Sequence, residues 1–329
     1  MDSALVIGGT RFIGRHTVED LLDHGYEVTL FNRGKHPSPF SDRDRVDHVV
    51  GDRSDDAALE GAARSVDPDI VLDFVAYNPA EVRTATEVFA DVDAYVYVSS
   101  GAAYEPINIP KRENETALRP CDGQQATDES AETYGNRKAA GDREIFAAAD
   151  RGMNAMSVRP TVVYGPHDYT ERVDYWIDRV NRHDRVIVPG DGTYLMHRVY
   201  VEDVAAALRI VAEAGTPGEA YNVADRQLVD LKGLIMLIEE ALGTDVRVTF
   251  ASDRELSTVG LESEDFPLYR GFPHVMSTSK LADLGWSSTP LQEAMDRSVE
   301  DHLDSDRTGR DRGPDREAEE AVLDVLDTI

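Results

Sequence analysis

Tyr134-Gly135-Asn136-Arg137-Lys138 sets a phenol and an ammonium four residues apart. On a helix these two side chains share a face. A lysine ammonium beside a phenol favours the phenolate and lowers its pKa from about 10. The tyrosine then becomes a usable acid or base near neutral pH. The lysine can also hydrogen-bond a sugar hydroxyl of a bound cofactor. A third group comes from Tyr97-Val98-Ser99-Ser100-Gly101-Ala102-Ala103-Tyr104, which ends a strand-like run in small polar residues. Ser100 can hold the substrate oxygen on which charge changes. Ser99 is read as bonding its own loop. The catalytic set is therefore Ser100, Tyr134 and Lys138. No metal is expected. The single Cys121, in a polar loop, excludes an internal disulfide and a multi-cysteine site. His167 and His197 have no carboxylates at ligand spacing.

A second chemical feature lies near the start. Ile7-Gly8-Gly9-Thr10-Arg11-Phe12-Ile13-Gly14 follows an apolar run and opens a helical one. Gly8 permits a tight turn, and Gly14 lets the helix pack closely on a sheet. The helix N-terminus then offers free N–H groups and a positive dipole end to a pyrophosphate. Arg11 occupies the place of a middle glycine. The next apolar run ends Leu30-Phe31-Asn32-Arg33-Gly34-Lys35. NAD-preferring sites usually carry an acid there to hold the ribose 2′-hydroxyl. Asn32 cannot repel a 2′-phosphate, and Arg11, Arg33 and Lys35 can neutralise one. This charge logic favours NADP over NAD. Asp52, in Val50-Gly51-Asp52-Arg53, suits the adenine amino group or caps its own loop.

These groups need a scaffold. Ala4–Ile7, Glu27–Phe31, Val46–Val50, Ile70–Val75, Tyr95–Ser99 and Met153–Arg159 are apolar runs of strand length, several of them continuous, as for strands buried on both faces. Helical stretches at Ile13–His24, Ala57–Val66, Ala80–Phe89 and Tyr134–Ala149 separate them. The alternation predicts βαβ units and a doubly wound parallel sheet, the Rossmann arrangement. After Arg159, Pro160, Gly165-Pro166 and Pro189-Gly190 punctuate shorter elements. Helices are expected at Val173–Asn181, Val201–Glu213, Leu231–Leu242 and Pro290–Leu303, and strands at Arg185–Val188 and Val246–Phe250. The reading is α/β throughout: a dinucleotide-binding domain over 1–160 with interleaved later segments, and a smaller substrate lobe over 161–303. Residues 304–329 are expected to be an acidic, flexible tail ending in a short helix near Arg316–Leu326.

The charge balance narrows the class of partner. The 329 residues carry a formal net charge of −29, and only five of the 34 basic residues are lysines, namely Lys35, Lys111, Lys138, Lys232 and Lys280. Such a surface repels itself in dilute salt and is screened at molar salt. It suggests a halophilic protein adapted to a salty cytoplasm. It also argues against nucleic acid, whose affinity rests on cationic contacts. No apolar run approaches the roughly 20 residues of a membrane span. Ala4-Leu5-Val6-Ile7 is too short for a signal peptide. The expected setting is cytoplasmic, with a small-molecule substrate.

In this order and spacing, the glycine turn, Ser100 before Tyr104, and Tyr134 with Lys138 resemble the extended short-chain dehydrogenase/reductase family, the group of NAD-dependent epimerases and dehydratases. The resemblance covers about residues 3–303. It includes Val158-Arg159-Pro160 through Val163-Tyr164-Gly165-Pro166, Val201-Glu202-Asp203-Val204-Ala205, and Ser279-Lys280-Leu281 with Leu284-Gly285-Trp286. It implies that Tyr134 exchanges a proton with a substrate hydroxyl or carbonyl while hydride passes to or from a nicotinamide, in an oxidoreductase or an epimerase/dehydratase. The cofactor set is Gly8, Thr10, Arg11, Phe12, Ile13, Gly14, Asn32, Arg33, Lys35, Asp52, Arg53, Ala76 and Lys138. Tyr77, His167, Arg172, Trp176 and Arg198 are candidates to face a sugar-like, possibly nucleotide-sugar substrate. The resemblance also implies a homodimer through the helices at Tyr134 and Ala80. The GGTRFIG turn with Asn32-Arg33-Gly34-Lys35 looks like a divergent branch that includes chloroplast RNA-associated proteins, so a non-catalytic sensor or RNA-associated protein is the alternative. Two customary contacts to a nucleoside diphosphate differ here: Val162 stands in place of an Asn, and Met196 in place of an Arg.

Overall fold

The computed structural model describes residues 2–328. In chain order the first elements are β1 (Ser3–Ile7), α1 (Phe12–Asp23), β2 (Glu27–Asn32), β3 (Val46–Val50), α2 (Asp56–Val66), β4 (Ile70–Asp73), α3 (Pro79–Val88), β5 (Ala94–Val98), α4 (Tyr134–Asp150) and β6 (Ala155–Pro160). They continue with β7 (Val162–Tyr164), α5 (Arg172–Arg182), β8 (Arg185–Pro189), β9 (Arg198–Tyr200), α6 (Val201–Ala214), β10 (Ala220–Val223), α7 (Leu231–Leu242) and β11 (Arg247–Ala251). The last are α8 (Asp253–Ser257), α9 (Ser279–Ala282), α10 (Leu291–Leu303) and α11 (Arg316–Thr328). The chain divides into two compact units. The first holds 1–163, 201–224 and 276–287, and the second holds 164–200, 225–275 and 288–329.

The first unit is a seven-stranded sheet in the order β10-β6-β5-β4-β1-β2-β3. Every neighbouring pair runs parallel. This is the doubly wound parallel sheet expected from the alternation. Parallel strands need crossover helices, and these cover both faces: α1 packs on α6, and α3 packs on α4 and α2. The central strands are therefore apolar on both sides. Ala4 to Ile7 in β1 and Ile70 to Leu72 in β4 have no exposure. β3, at the sheet edge, is largely exposed. Strand order reverses between β1 and β4, the kind of switch point at whose carboxyl ends open α/β sheets bind ligands.

The second unit pairs β8 with β11 in parallel and packs α5 against α7 and α10. Trp176 of α5 is its centre. The indole is fully buried, stacks on Phe266 at 6.3 Å and donates to the Pro267 carbonyl. The segment expected to be a flexible tail folds back on this unit. Arg307 pairs with Asp174, and Arg310 with Asp178. Glu319 of α11 is 2% exposed and accepts from Arg179 at 2.9 and 3.0 Å. At Gly309, with φ +62°, a Cβ would lie 2.1 Å from the Tyr175 nitrogen, so the chain crosses α5 at backbone contact. A run rich in Asp, Arg and Gly reads as solvated, but here its charges find buried partners on α5. Among the described residues no helix is long and apolar enough to cross a membrane.

Candidate active site

The glycine turn joins β1 to α1. Gly8 and Gly9 take φ of +112° and +81°, a region that glycine enters without a Cβ clash. A Cβ at Gly14 would lie 2.6 Å from the Gly9 Cα, so α1 rests directly on the turn. Arg11 is the extended N-cap residue of α1 and makes no side-chain cap bond. Thr10, Arg11, Phe12 and Ile13 thus lead into the N-terminal end of α1, the arrangement that suits a pyrophosphate. These residues fit a dinucleotide.

Next to this turn, Asn32 ends β2. Its Oδ1 accepts from the Gly34 N–H at 2.8 Å and lies 2.9 Å from His48 Nε2, and its Nδ2 is 3.4 Å from the Gly8 carbonyl. Arg33 and Lys35 are exposed. The Asp52 carboxylate accepts from the Ser54 backbone and hydroxyl, forming a loop cap. Those bonds, helped by the charges of Arg33 and Lys35, hold its pKa below the usual carboxylate range. Arg53, expected to face the cofactor, turns inward instead. It is 7% exposed and bonds Asp73 at 2.8 Å and the Glu81 carbonyl at 2.7 Å. Asp73 is fully buried, and its other oxygen accepts from the Val75 and Ala76 N–H groups. The Arg53–Asp73 pair thereby shapes the turn after β4 that carries Ala76 and Tyr77.

The three catalytic candidates converge beyond β4 and β5. Ser100 caps a single 3₁₀ turn, Gly101–Ala103, and its Oγ accepts from the Ala102 N–H at 3.1 Å. Tyr134 heads α4 and is half-buried. A Cβ at Gly135 would lie 2.4 Å from the Ala102 oxygen, so α4 begins in backbone contact with the turn that holds Ser100. Lys138 is 2% exposed, one helical turn on. Its Nζ donates to the carbonyls of Ala76 at 2.9 Å and Val98 at 2.8 Å, pinning the ends of β4 and β5. The same ammonium lies 5.9 Å from the Tyr134 ring centre and 4.7 Å from that of Tyr97. Burial pulls its pKa down to about 8, while the charges of Asp73 and Asp142 oppose the fall.

Several supporting residues escaped the sequence reading. Arg137 donates to the carbonyls of Tyr77 and Ser130, so it ties the β4 loop and the approach to Tyr134 to α4. Gly135 carries a signal, since a glycine in a first helical turn marks a close approach. Tyr104 belongs to a buried polar chain: its hydroxyl donates to Asn222 and receives from Arg159, which pairs with Asp142 on α4. Ser99 does not bond its own loop. Its Oγ is buried with no hydrogen-bond partner.

Of the substrate candidates, Tyr77 stays beside the catalytic set, its ring centre 5.2 Å from Lys138 Nζ, and the others belong to the second unit. Tyr77, in the first unit, is 47% exposed. In the second unit, His167 has φ +66° and sits 3.6 Å from Asp301, while Arg172 donates to Thr170. Trp176 is core, which leaves it no surface for a ligand. Arg198 is 6% exposed and donates to the Val229 carbonyl beside a cavity of about 10 Å³, room for one water.

The sequence profile of the NAD dependent epimerase/dehydratase family matches residues 4–224. A chloroplast stem-loop binding protein of 41 kDa from Arabidopsis thaliana is 28% identical over 251 residues, spanning 73% of this chain but only 63% of that protein. The dTDP-D-glucose 4,6-dehydratase of Mus musculus is 26% identical over 332 residues, 90% of this chain and 87% of the relative. The dTDP-glucose 4,6-dehydratase of Bacillus anthracis, solved in complex with NAD, superposes with a TM-score of 0.73 at 19% identity, covering 93% of this chain and 98% of that one. With the profile spanning most of the chain and the glycine turn, Ser100, Tyr134 and Lys138 in place, this chain belongs to the NAD dependent epimerase/dehydratase family.

Proposed function

We propose that this chain is an NAD(P)-dependent enzyme acting on a hydroxyl or carbonyl of a sugar-like substrate, with Tyr134, Lys138 and Ser100 as its acid–base set. The carrying observation is the gathering of these three groups at the carboxyl ends of β4 and β5, in the same unit as the glycine turn. A bound nicotinamide supplies the acceptor or donor of hydride. Tyr134 exchanges a proton with the substrate oxygen. The Lys138 charge favours the phenolate and sets the pH at which that exchange works. Ser100 Oγ already accepts from Ala102, so its own proton is left to donate to the substrate oxygen as charge grows there.

The substrate class proposed is a nucleoside-diphosphate sugar, the class named for the related dehydratases. With Val162 and Met196 at the two altered positions and Arg198 committed to Val229, the diphosphate must be held by other groups than the family's usual pair. NADP is preferred over NAD, supported by Asn32 in place of an acid and by the exposed Arg33 and Lys35. The net charge of −29 weighs against an RNA-binding role.

The test is turnover of dTDP- and UDP-sugars by the purified protein and by Tyr134→Phe. The variant is expected to lose on the order of 10²–10⁴-fold in rate while binding the reduced nicotinamide cofactor as before. Equal turnover by both proteins would remove Tyr134 from the proposed role.

A further inference from the structure

In dinucleotide sites the residue that ends the second strand reads the adenosine ribose, and an acid there accepts from the 2′-hydroxyl. Asn32 holds that place, and its surroundings decide which face of its amide a ribose would meet. The Gly34 N–H is a donor and the Gly8 carbonyl an acceptor, so the two backbone groups fix the amide with Oδ1 toward Gly34 and Nδ2 toward Gly8. His48, on the neighbouring edge strand β3, then completes the arrangement. Its partner Leu30 in the strand register precedes Asn32 by two, so His48 and Asn32 project from the same face as diagonal neighbours. His48 Nε2 lies 2.9 Å from Asn32 Oδ1. An amide oxygen has no proton, so the imidazole must be the donor. Both lone pairs of Oδ1 are thus taken, one by Gly34 and one by His48.

We infer that His48 is a positioning residue for cofactor choice: with Gly34 it saturates the Asn32 oxygen, so Asn32 can offer the ribose 2′ position only N–H donors. A 2′-hydroxyl gains little from that face, because it has lost the acceptor that an acid provides. A 2′-phosphate presents acceptors alone and matches it, with Arg33 and Lys35 exposed on the chain that follows. Arg33 and Lys35 also act on the Asp52 carboxylate, whose oxygen is bound to Ser54, so that acid is already engaged. The inference rests on the proposed NADP preference and explains how a neutral residue can produce it.

The experiment measures dissociation constants for NADPH and NADH by nucleotide fluorescence, with no turnover required. It uses the full chain, His48→Leu, His48→Gln and Asn32→Asp. His48 is on an exposed edge strand, so the fold should tolerate these changes. The wild type is expected to bind NADPH more tightly. His48→Leu frees the Asn32 oxygen and should cut the NADPH-to-NADH preference about tenfold, mostly through weaker NADPH binding. His48→Gln keeps a donor and should restore the ratio to within about twofold of wild type. Asn32→Asp should reverse the preference. A wild type that prefers NADPH with an unchanged ratio in His48→Leu overturns the role of His48 alone. A wild type that prefers NADH overturns the NADP reading and this inference with it.

Discussion

Lys138 carries two tasks that pull against each other. Its ammonium pins the carbonyls of Ala76 and Val98, yet burial drives its pKa down to about 8. The folded value thus lies below the ordinary lysine range that the unfolded chain keeps. Between about pH 8 and that range the unfolded state binds more protons, so the Lys138 contribution to stability rises with pH there. Below pH 8 the full cost of burying the charge is present. Comparing denaturant unfolding at pH 7.5 and 9.5, the wild type should gain up to about 1.4 kcal/mol per pH unit relative to Lys138→Met. Activity should move the other way. Once the ammonium is lost above about pH 8, the phenol of Tyr134 loses the charge that favours its phenolate. The rate is expected to fall on the alkaline side near that pH, and a profile flat to pH 10 would exclude Lys138 from tuning the proton transfer. The tyrosine and lysine could be read from their spacing alone. The depressed pKa could not, because it depends on the strand ends that close around Nζ.

The element that matters most for alignment is the start of α4. Its register against the Gly101–Ala103 turn is set by Gly135, where any side chain would meet the Ala102 oxygen. Gly135→Ala must push the helix away from the turn that holds Ser100. Overpacking of this kind typically costs about 1–3 kcal/mol of stability. The larger consequence is expected in rate, since misplacing reacting groups by about 1 Å can cost on the order of 100-fold. Cofactor affinity, read by fluorescence, should change less than the rate, because the glycine turn before α1 is untouched and Lys138 is the one residue of the proposed cofactor set on α4. The long elements around these positions were legible in the sequence. α1, α4, α7 and α10 lie within a residue or two of their expected bounds, because amphipathic periodicity over three or more turns is a strong local signal. Strands β7, β9 and β10 have three or four residues each and offer no such run.

Charge acts on the molecule as a whole. A net charge of −29 over 329 residues makes folding work against self-repulsion in dilute buffer. Raising KCl toward molar concentrations shortens the Debye length to about 3 Å and should raise the melting temperature steadily. A melting temperature that is flat or falls with KCl would show that the acidic surface is not an adaptation to salt. Not all of this charge is surface charge, however. Glu319, Asp174, Asp178 and Asp142 are buried with arginine partners, and the first three tie Arg307, Arg310 and α11 to α5. Sequence alone determined the alternation of strands and helices, the glycine turn at its head and the one-turn spacing of Tyr134 and Lys138. Each is a local property, written in periodicity, glycine placement or helical geometry over fewer than about 20 residues. Only the tertiary structure decided that Arg53 and Trp176 turn inward, that His48 meets Asn32 across β2 and β3, and that the acidic end of the chain docks on α5. Those outcomes join residues from 16 to 140 positions apart, and no local pattern encodes which donor will find which acceptor once strand register and packing bring them together.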